Sequence, residues 1–461
     1  MPDTSESPAH VYFLPRLLTK WDGVAIVVGS IIGSGIFLKV GTVDAALKAF
    51  GFVPIIGIWA VVGLVTLCGS LALGELAAMY PHAGGPYLYL REAYGRMPAF
   101  LWGWTEFWVV RTGSVGALAC ATALYLNEVI PLTRVGQECV AIAIVGGLTI
   151  TGMLSTRWSA SLQNGFTVIK LVFLCGLIVL PVVMFRADVS HWSPLLSDSP
   201  ETNLWRALGV ALMAVMWPYD GWINLAPVAE DMQEPHRNVP RALGIGMALI
   251  VTVYVLANLS YHLVLTMDQV AATRTIASDV FQVLFGPTGA KIAALGVMCS
   301  TFGATNSNML CGPRIYLAMA RDGLLPARMH HVHVRWRTPA NATLAQGFWT
   351  VLLILLFFAW KEDPKGAFDG LTDSVIFAGL IFYSLTVAAV YVLRVKRPEL
   401  HRPYRTWGYP LTPMLLIGVY QFAFFRQLFD EWQQMSAVLA LIASGILYYY
   451  IVTYWQWRAG R

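Results

Sequence analysis

The chain has 461 residues, of which 57% are apolar and only 12% are charged, and its formal net charge is +5. Because soluble domains carry about 25% charged residues, this composition excludes an ordinary soluble protein. Apolar runs of about 18–25 residues, the length of a bilayer-crossing helix, recur along nearly the whole chain. The predicted fold class is an all-α polytopic membrane protein in a lipid bilayer, and the small positive charge does not indicate nucleic-acid binding.

Twelve membrane-spanning helices are predicted after an N-terminal tail of residues 1–18. Their ranges are 19–46, 53–80, 97–128, 137–154, 158–185, 203–231, 240–265, 287–318, 340–360, 373–394, 408–426 and 434–456. The predicted loops on one side hold most of the basic residues, for example Arg91, Arg237 and Arg394. Because cytoplasmic segments carry an excess of Lys and Arg, we expect both termini in the cytoplasm and the protein in the plasma or inner membrane.

The first predicted helix is interrupted near its centre by Gly33, Ser34 and Gly35. Glycine and serine are weak helix formers, and an unsatisfied backbone group is costly in hydrocarbon. Irregular backbone at this depth is tolerated where it lines a cavity, and broken helices are typical of transporter binding sites. The break therefore predicts a site for a polar ligand at the membrane midplane, with a packing kink as the alternative.

The sixth predicted helix is interrupted at a matching place. Pro218 removes a backbone donor there and Gly221 loosens the helix. Two broken helices five spans apart indicate an inverted repeat of two antiparallel five-helix halves, the pattern of secondary transporters. We expect these halves at residues 19–185 and 203–394, with the last two helices, at 408–456, outside the repeat.

Several motifs carry a family resemblance. They are SIIGSGIF at 30–37, ELAAMYP at 75–81, GGPYLYLREAYG at 84–95, YDGW at 219–222, EDM at 230–232, PHRNVPR at 235–241, STFG at 300–303 and ARDG at 320–323. In this order and spacing they resemble the amino acid–polyamine–organocation (APC) superfamily, nearest to its L-type amino acid transporter branch. The resemblance covers about residues 15–400 and is weak in the final two helices.

The resemblance implies a leucine-transporter-like fold of ten core helices plus two. It implies sodium-independent amino acid import or exchange by alternating access, without a cofactor. Eukaryotic L-type members carry a cysteine between the third and fourth helices that links a glycoprotein heavy chain. Here that loop reads PLTRVGQ at 131–137, and Cys139 falls within the fourth helix, so we expect no disulfide-linked partner.

A free amino acid carries a carboxylate and an ammonium group, and the two breaks offer partners for both. The half-helix after the first break presents N–H groups and the positive end of a helix dipole. We assign the carboxylate to the N–H groups of Ser34 and Gly35 and to the Ser34 hydroxyl. The ammonium is assigned to freed carbonyl groups, which belong to Ile31, Ile32, Trp217 and Pro218. Gly33 and Tyr219 complete the predicted substrate site.

Lys170 lies in an apolar stretch of the fifth predicted helix, and a lysine at membrane depth is costly and usually functional. Its position resembles a lysine that, in part of the superfamily, stands where sodium-coupled relatives bind Na⁺. We expect its ammonium to contact the carbonyls of residues 33–35 and the eighth helix, where Ser307 is the candidate partner. It would replace Na⁺ or shuttle a proton. A snorkelling lysine and plain helix–helix contact by Ser307 are the alternatives.

Two side chains inside the second break have candidate roles. Asp220 is expected to cap the half-helix that follows or to make another hydrogen bond, with attraction of a cationic substrate side chain or ammonium as the alternative. Trp217 is expected to close the pocket as a gate, with core packing as the alternative.

Other chemistry-bearing residues indicate no second site. Arg111 is an intramembrane charge, and Glu106 is not its expected partner, since residues five apart do not share a helix face. His330, His331 and His333 lack further ligands on a fixed scaffold, so no metal site is predicted.

Competing functions make different demands on the sequence. A cationic amino acid or polyamine carrier of the same fold is mildly favoured by Asp220. A membrane-embedded enzyme needs convergent catalytic groups, and a channel needs a continuous polar pore; neither is visible. The sequence predicts an amino acid transporter and leaves exchange and proton-coupled symport both open.

Overall fold

The computed structural model describes residues 16, 18–82, 84–154, 156–184, 186–197, 203–330, 338–361 and 363–458. Most of the predicted N-terminal tail, together with His331 and His333, lies outside these ranges.

The first half of the described chain is built of helices joined by short connections. Its α-helices are α1 (Lys20–Ile31), α2 (Gly35–Leu38), α3 (Val40–Leu47), α4 (Phe52–Met79), α5 (Pro86–Tyr94), α6 (Arg96–Thr105), α7 (Arg111–Val129), α8 (Arg134–Leu154) and α9 (Thr156–Val183). A π-helical turn, Glu106–Val110, joins α6 to α7.

The second half is built in the same way. Its α-helices are α10 (Leu204–Met216), α11 (Pro235–Val264), α12 (Met267–Ala272), α13 (Ile276–Arg321), α14 (Ala340–Trp360), α15 (Pro364–Lys396), α16 (Leu411–Asp430) and α17 (Trp432–Arg458). A 3₁₀ segment, Trp222–Asp231, follows α10 after a turn. Gly286, with φ of 70°, kinks α13 next to the predicted start of the eighth helix at residue 287.

The structure confirms an all-helical chain of the polytopic membrane type. Within the described residues, ten helical segments are long and apolar enough to cross a bilayer. The other two predicted spans contain α10, with 13 residues, and α16, with 20 residues. Twelve spans therefore remain a prediction.

Both predicted helix breaks are present in the backbone. The first lies between the end of α1 at Ile31 and the start of α2 at Gly35, with Ile32 in an extended conformation. The second follows Met216, and Gly221 there has φ of 104°, a left-handed conformation that glycine adopts without a steric penalty. The half-helix beyond this second break is 3₁₀ over its described length rather than α-helical.

A buried carboxylate joins one end of the helix bundle. Glu75 near the end of α4 accepts two hydrogen bonds from the Arg394 guanidinium, at 2.9 and 2.7 Å. It also accepts the backbone N–H and the hydroxyl of Thr406, both at 2.7 Å. Arg402 lies 3.7 Å from the same carboxylate. The side chain is only 1% exposed, so Glu75 ties α4 to α15 and to the connection before α16.

Removing this carboxylate is expected to destabilise the protein strongly. Glu75→Ala leaves two arginines without their shared partner, and breaking a buried ion pair costs roughly 3–5 kcal/mol. Thermal unfolding of the purified protein in detergent measures the loss. The matched control is Glu92→Ala, because Glu92 is 25% exposed and its arginine contacts are 3.6 and 3.8 Å long. The control should cost about 1 kcal/mol at most, and equal shifts for both variants would contradict this account.

Candidate functional site

The two helix breaks lie against each other. A Cβ atom on Gly35 would lie 2.5 Å from the Cα atom of Pro218, and one on Gly221 would lie 2.9 Å from the Ser30 carbonyl oxygen. Real Cβ atoms do not approach other atoms so closely. Glycine at these two positions therefore lets the backbone of one break touch that of the other.

One tyrosine hydroxyl joins both breaks. The Tyr254 hydroxyl in α11 lies 3.1 Å from the Ile31 carbonyl oxygen and 3.1 Å from the Pro218 carbonyl oxygen. Tyr261, seven residues later on the same helix face, donates its hydroxyl to Ile36 at 3.4 Å. Neither tyrosine was predicted from the sequence, although their seven-residue spacing in an apolar helix places both on one helix face.

Lys170 reaches the first break from α9. Its side chain is fully buried, and its ammonium donates to the carbonyls of Gly29 at 2.5 Å and Ile32 at 2.9 Å. The expected partners were the carbonyls of residues 33–35, so the observed contacts lie slightly earlier in the chain. The reason is local packing: a Cβ on Gly29 would lie 3.4 Å from Thr167, so α9 meets α1 just before the break.

The contact from α13 comes from a different serine than expected. The Ser300 hydroxyl donates to the Gly33 carbonyl at 3.1 Å, whereas Ser307, seven residues later, was the predicted partner. Ser300, Lys170 and Tyr254 together supply donors to the carbonyls at the end of α1 from three different helices.

Trp217 covers the first break. Its indole N–H donates to the Ser34 hydroxyl oxygen at 3.1 Å, and both side chains are buried. The Trp217 ring also packs against the ring of Phe368 in α15, with the ring centroids 6.3 Å apart and the rings nearly perpendicular. Trp217 therefore connects the first break to α15.

A small cavity of about 40 Å³ lies between the breaks. This volume has room for on the order of three water molecules. Of the predicted site residues, those that line it are Ile31, Gly33, Ser34, Gly35, Trp217 and Asp220. Further polar residues that line it are Ser30, Ser114, Asn224, Asn308 and Tyr383. Tyr219 instead donates its hydroxyl to the Trp59 carbonyl at 3.0 Å and packs towards α4.

Arg111 also lines the cavity. Glu106 was not expected to be its partner, and that prediction is wrong. The Arg111 guanidinium binds the Glu106 carboxylate at 3.0 and 2.9 Å. The π-helical turn between α6 and α7 explains the contact, because its wider i→i+5 pitch brings residues five apart onto one face. Arg111 also donates to the side-chain oxygen of Asn308 at 2.6 Å.

Asp220 faces the cavity and pairs with a hydroxyl. The Tyr383 hydroxyl donates to its carboxylate at 2.8 Å. Of the two roles expected for Asp220, hydrogen bonding is observed, whereas no side-chain cap is found at the start of the Trp222–Asp231 segment. Asp220 therefore links the second break to α15.

A charged cluster lies on the far side of Trp217 and Phe368 from the cavity. Lys39, only 2% exposed, binds Asp369 at 2.7 Å and Asp373 at 3.2 Å. Lys365 binds Asp369 from the same helix at 2.6 Å. The half-helix after the first break is therefore tied to α15 by ion pairs as well as through Trp217.

The histidine segment gives no metal centre that the structure can describe. In the described ranges, no group of three or more His, Cys, Asp or Glu side chains could hold a metal ion. His331 and His333 lie outside those ranges.

The close contact of the two breaks gives a stability prediction. Gly35→Ala inserts a methyl group against the backbone of Pro218, and overpacking of this kind costs about 1–3 kcal/mol. The control is Gly57→Ala in α4, where a Cβ would meet nothing within 4 Å. Thermal unfolding should show a clear loss for Gly35→Ala and none for the control; no loss at Gly35 would contradict the packing described here.

Comparisons with known proteins identify the family. The model of the amino acid permease family matches residues 18–454. The human b(0,+)-type amino acid transporter 1 is 29% identical over 454 residues, covering 96% of this chain and 89% of the relative. The serine/threonine exchanger SteT of Bacillus subtilis (strain 168) is 28% identical over 435 residues, covering 93% and 94%. The rabbit (Oryctolagus cuniculus) large neutral amino acids transporter small subunit 2 is 30% identical over 440 residues, covering 94% and 79%. The chain thus belongs to the amino acid permease family, integral multi-pass membrane proteins of the APC superfamily, in its L-type branch.

Proposed function

We propose that this protein is a sodium-independent secondary amino acid transporter, an exchanger or a proton-coupled symporter, that works by alternating access. The observation that carries the proposal is the meeting of two broken helices around one polar cavity within the membrane-spanning bundle. Broken helices at mid-membrane are the usual substrate sites of secondary transporters. The names of its relatives, which include amino acid transporters and an exchanger, point to the same function.

The substrate carboxylate would bind at the start of the half-helix formed by α2 and α3. Lys39, between these two helices, has φ of −95° and ψ of −10°, so the helical path continues nearly unbroken from Gly35 to Leu47. The first N–H groups of a helix have no partner within it, and they lie at the positive end of the dipole. The N–H groups of Ser34 and Gly35 and the Ser34 hydroxyl are the proposed donors.

The substrate ammonium would bind the carbonyl oxygens at the ends of α1 and α10. The Ile32 carbonyl already accepts a hydrogen bond from Lys170, and the carbonyls of Ile31 and Pro218 share the single hydroxyl proton of Tyr254. A carbonyl oxygen has two lone pairs and can accept a second hydrogen bond. The ammonium would therefore share these acceptors, together with the carbonyl of Trp217, rather than displace the groups that hold them.

Lys170 would take the place of a coupling cation. Its ammonium sits on two carbonyl oxygens at the end of α1, the kind of contact that a bound Na⁺ makes with unwound backbone. In this role Lys170 supplies a fixed positive charge that steadies α1, so transport would proceed without sodium.

Trp217 and the Lys39 cluster would form the gate on one side of the cavity. The indole of Trp217 covers the first break, and the ion pairs of Lys39 hold the following half-helix to α15. Because the cavity has a volume of only about 40 Å³, its walls would have to separate to admit an amino acid. Opening would break the Trp217–Phe368 contact and the Lys39 ion pairs together.

The proposed architecture keeps the predicted repeat. Residues 19–185 and 203–394 would be the two inverted five-helix halves of a leucine-transporter-like fold, and 408–456 the additional pair, giving twelve spans. Both termini would lie in the cytoplasm and the protein in a cell membrane, an orientation favoured by the excess of Lys and Arg in the predicted cytoplasmic loops. The loop between α7 and α8 contains no cysteine, so transport would not require a disulfide-linked heavy chain.

A cationic amino acid or polyamine carrier is the second candidate. The carboxylate of Asp220 lines the cavity and favours a positively charged substrate. The guanidinium of Arg111 lines the same cavity and opposes it. A neutral amino acid, which carries balanced charges, suits this mixed lining better.

Uptake by reconstituted liposomes tests the proposed function. Vesicles preloaded with unlabelled amino acid should take up radiolabelled amino acid if the protein is an exchanger. Empty vesicles should do so under an inward pH gradient if it is a symporter. Replacement of Na⁺ by choline should change neither rate. Failure to transport any standard amino acid under both conditions would overturn the proposal.

The role of Lys170 has its own test. Lys170→Ala removes two charge-assisted hydrogen bonds, each worth roughly 1.5–3 kcal/mol, and leaves the end of α1 without its cation. Uptake per folded molecule should fall at least about tenfold. The control is Lys291→Ala, a lysine on the exposed face of α13, which should transport at the wild-type rate. Wild-type transport by Lys170→Ala would refute the role.

A further inference from the structure

A second cavity lies at the end of the bundle near Glu75, and none of the residues that line it lines the cavity between the breaks. It is an open pocket with a volume of about 380 Å³ between α4, the beginning of α11 and the connection that precedes α16. Leu71 comes from α4, Tyr404 from the connection, and the remaining walls are mainly from α11. This cavity is several times larger than the one between the breaks, and the proposed transport function does not use it.

The charged lining of this cavity is entirely basic. His236, Arg237 and Arg241 line it, and no acidic residue does. Within the described part of the chain, Arg241 makes no ion pair, and Arg237 approaches only Glu234, at 3.9 Å, with both side chains more than 70% exposed. Such an exposed pair contributes little stabilisation. Both guanidinium groups are therefore available to an outside anion, and their planar geometry suits the oxygens of a phosphate.

His236 is held in place at the edge of this basic group. Its Nδ1 atom lies 2.7 Å from the Ala78 carbonyl oxygen at the end of α4. This contact fixes the ring between α4 and α11 and leaves its other nitrogen on the opposite side of the ring.

Apolar stripes lead from the cavity along the outside of two membrane-spanning helices. On α11, Ile245 and Leu249 follow Arg241 by four and eight residues, so they share its helix face, and both are exposed. On α4, Leu64 precedes Leu71 by seven residues and is also exposed. Exposed apolar faces of spanning helices contact acyl chains. The cavity thus opens where lipid tails would lie.

We propose that this cavity binds the phosphate headgroup of an anionic phospholipid, with the acyl chains along the stripes of α4 and α11. A free phosphate would satisfy the arginines but would leave the apolar stripes without a role. Basic pockets between spanning helices at the membrane surface are suited to phospholipid headgroups. This inference stands apart from the proposed transport function, since it concerns different residues and needs no amino acid.

The bound lipid would contact α4 and the connection before α16, which Glu75 also joins, together with α11. At this junction, a Cβ on Gly74 would lie 3.2 Å from the Cα atom of Pro240 and 3.4 Å from the Tyr404 ring, so α4, α11 and the connection pack tightly. A headgroup that contacts all three should raise the thermal stability of the whole protein.

Thermal unfolding of the full-length protein in detergent tests the proposal with three probes. They are dioctanoyl phosphatidylglycerol, dioctanoyl phosphatidylcholine and glycerol 3-phosphate. Phosphatidylglycerol should raise the melting temperature by about 3 °C or more relative to phosphatidylcholine. Glycerol 3-phosphate, which has the phosphate without acyl chains, should give no comparable shift at equal concentration.

Two double variants make the test specific. Arg237→Gln with Arg241→Gln should abolish the phosphatidylglycerol shift while leaving the melting temperature without lipid nearly unchanged. Arg328→Gln with Arg458→Gln removes the same charge from two exposed arginines elsewhere and should keep the full shift. Equal shifts in both double variants would overturn the proposed site. Equal stabilisation by glycerol 3-phosphate and phosphatidylglycerol would overturn the proposal of a phospholipid, because a soluble phosphate would then suffice as the ligand.

Discussion

The fold depends on the need to satisfy backbone carbonyl groups wherever a helix is broken inside the membrane-spanning bundle. In hydrocarbon a freed carbonyl has no water to bind, so a broken helix survives only where other groups supply donors. The structure supplies them from three helices. Lys170 of α9 binds Gly29 and Ile32, Tyr254 of α11 binds Ile31, and Ser300 of α13 binds Gly33.

This arrangement makes the first break a junction of the bundle. Tyr254 also contacts the Pro218 carbonyl, so a single hydroxyl spans both breaks. Trp217 and Lys39 connect the same region to α15. Any ligand that binds the broken backbone therefore contacts a point where α1, α9, α11, α13 and α15 meet. Movement of one of these helices must change the hydrogen bonds of the others, which is the mechanical requirement for alternating access.

The sequence predicted the elements that depend on local chemistry. Gly33, Ser34 and Gly35 interrupt the helix because of their own backbone preferences. Lys170 could be singled out because a charged side chain in an apolar membrane segment is energetically costly. The partners of these residues could not be predicted, because they depend on how helices distant in the chain pack together. Ser300 was missed in favour of Ser307, because the two serines share a helix face and choosing between them requires the depth at which α13 packs along the first break. Glu106 and Arg111 were judged with the spacing of an α-helix, and the π-helical turn between them changed that spacing.

In the proposed function, the first break recognises the backbone of an amino acid. The most direct measurement is an experimental structure, by cryo-electron microscopy, of the protein bound to an amino acid that it transports. The account predicts the substrate carboxylate within hydrogen-bond distance of the N–H groups of Ser34 and Gly35, with Lys170 still on the carbonyls of Gly29 and Ile32. A substrate bound elsewhere, for example beside Lys39 and Asp369, with the first break unchanged and not in contact with it, would contradict the account.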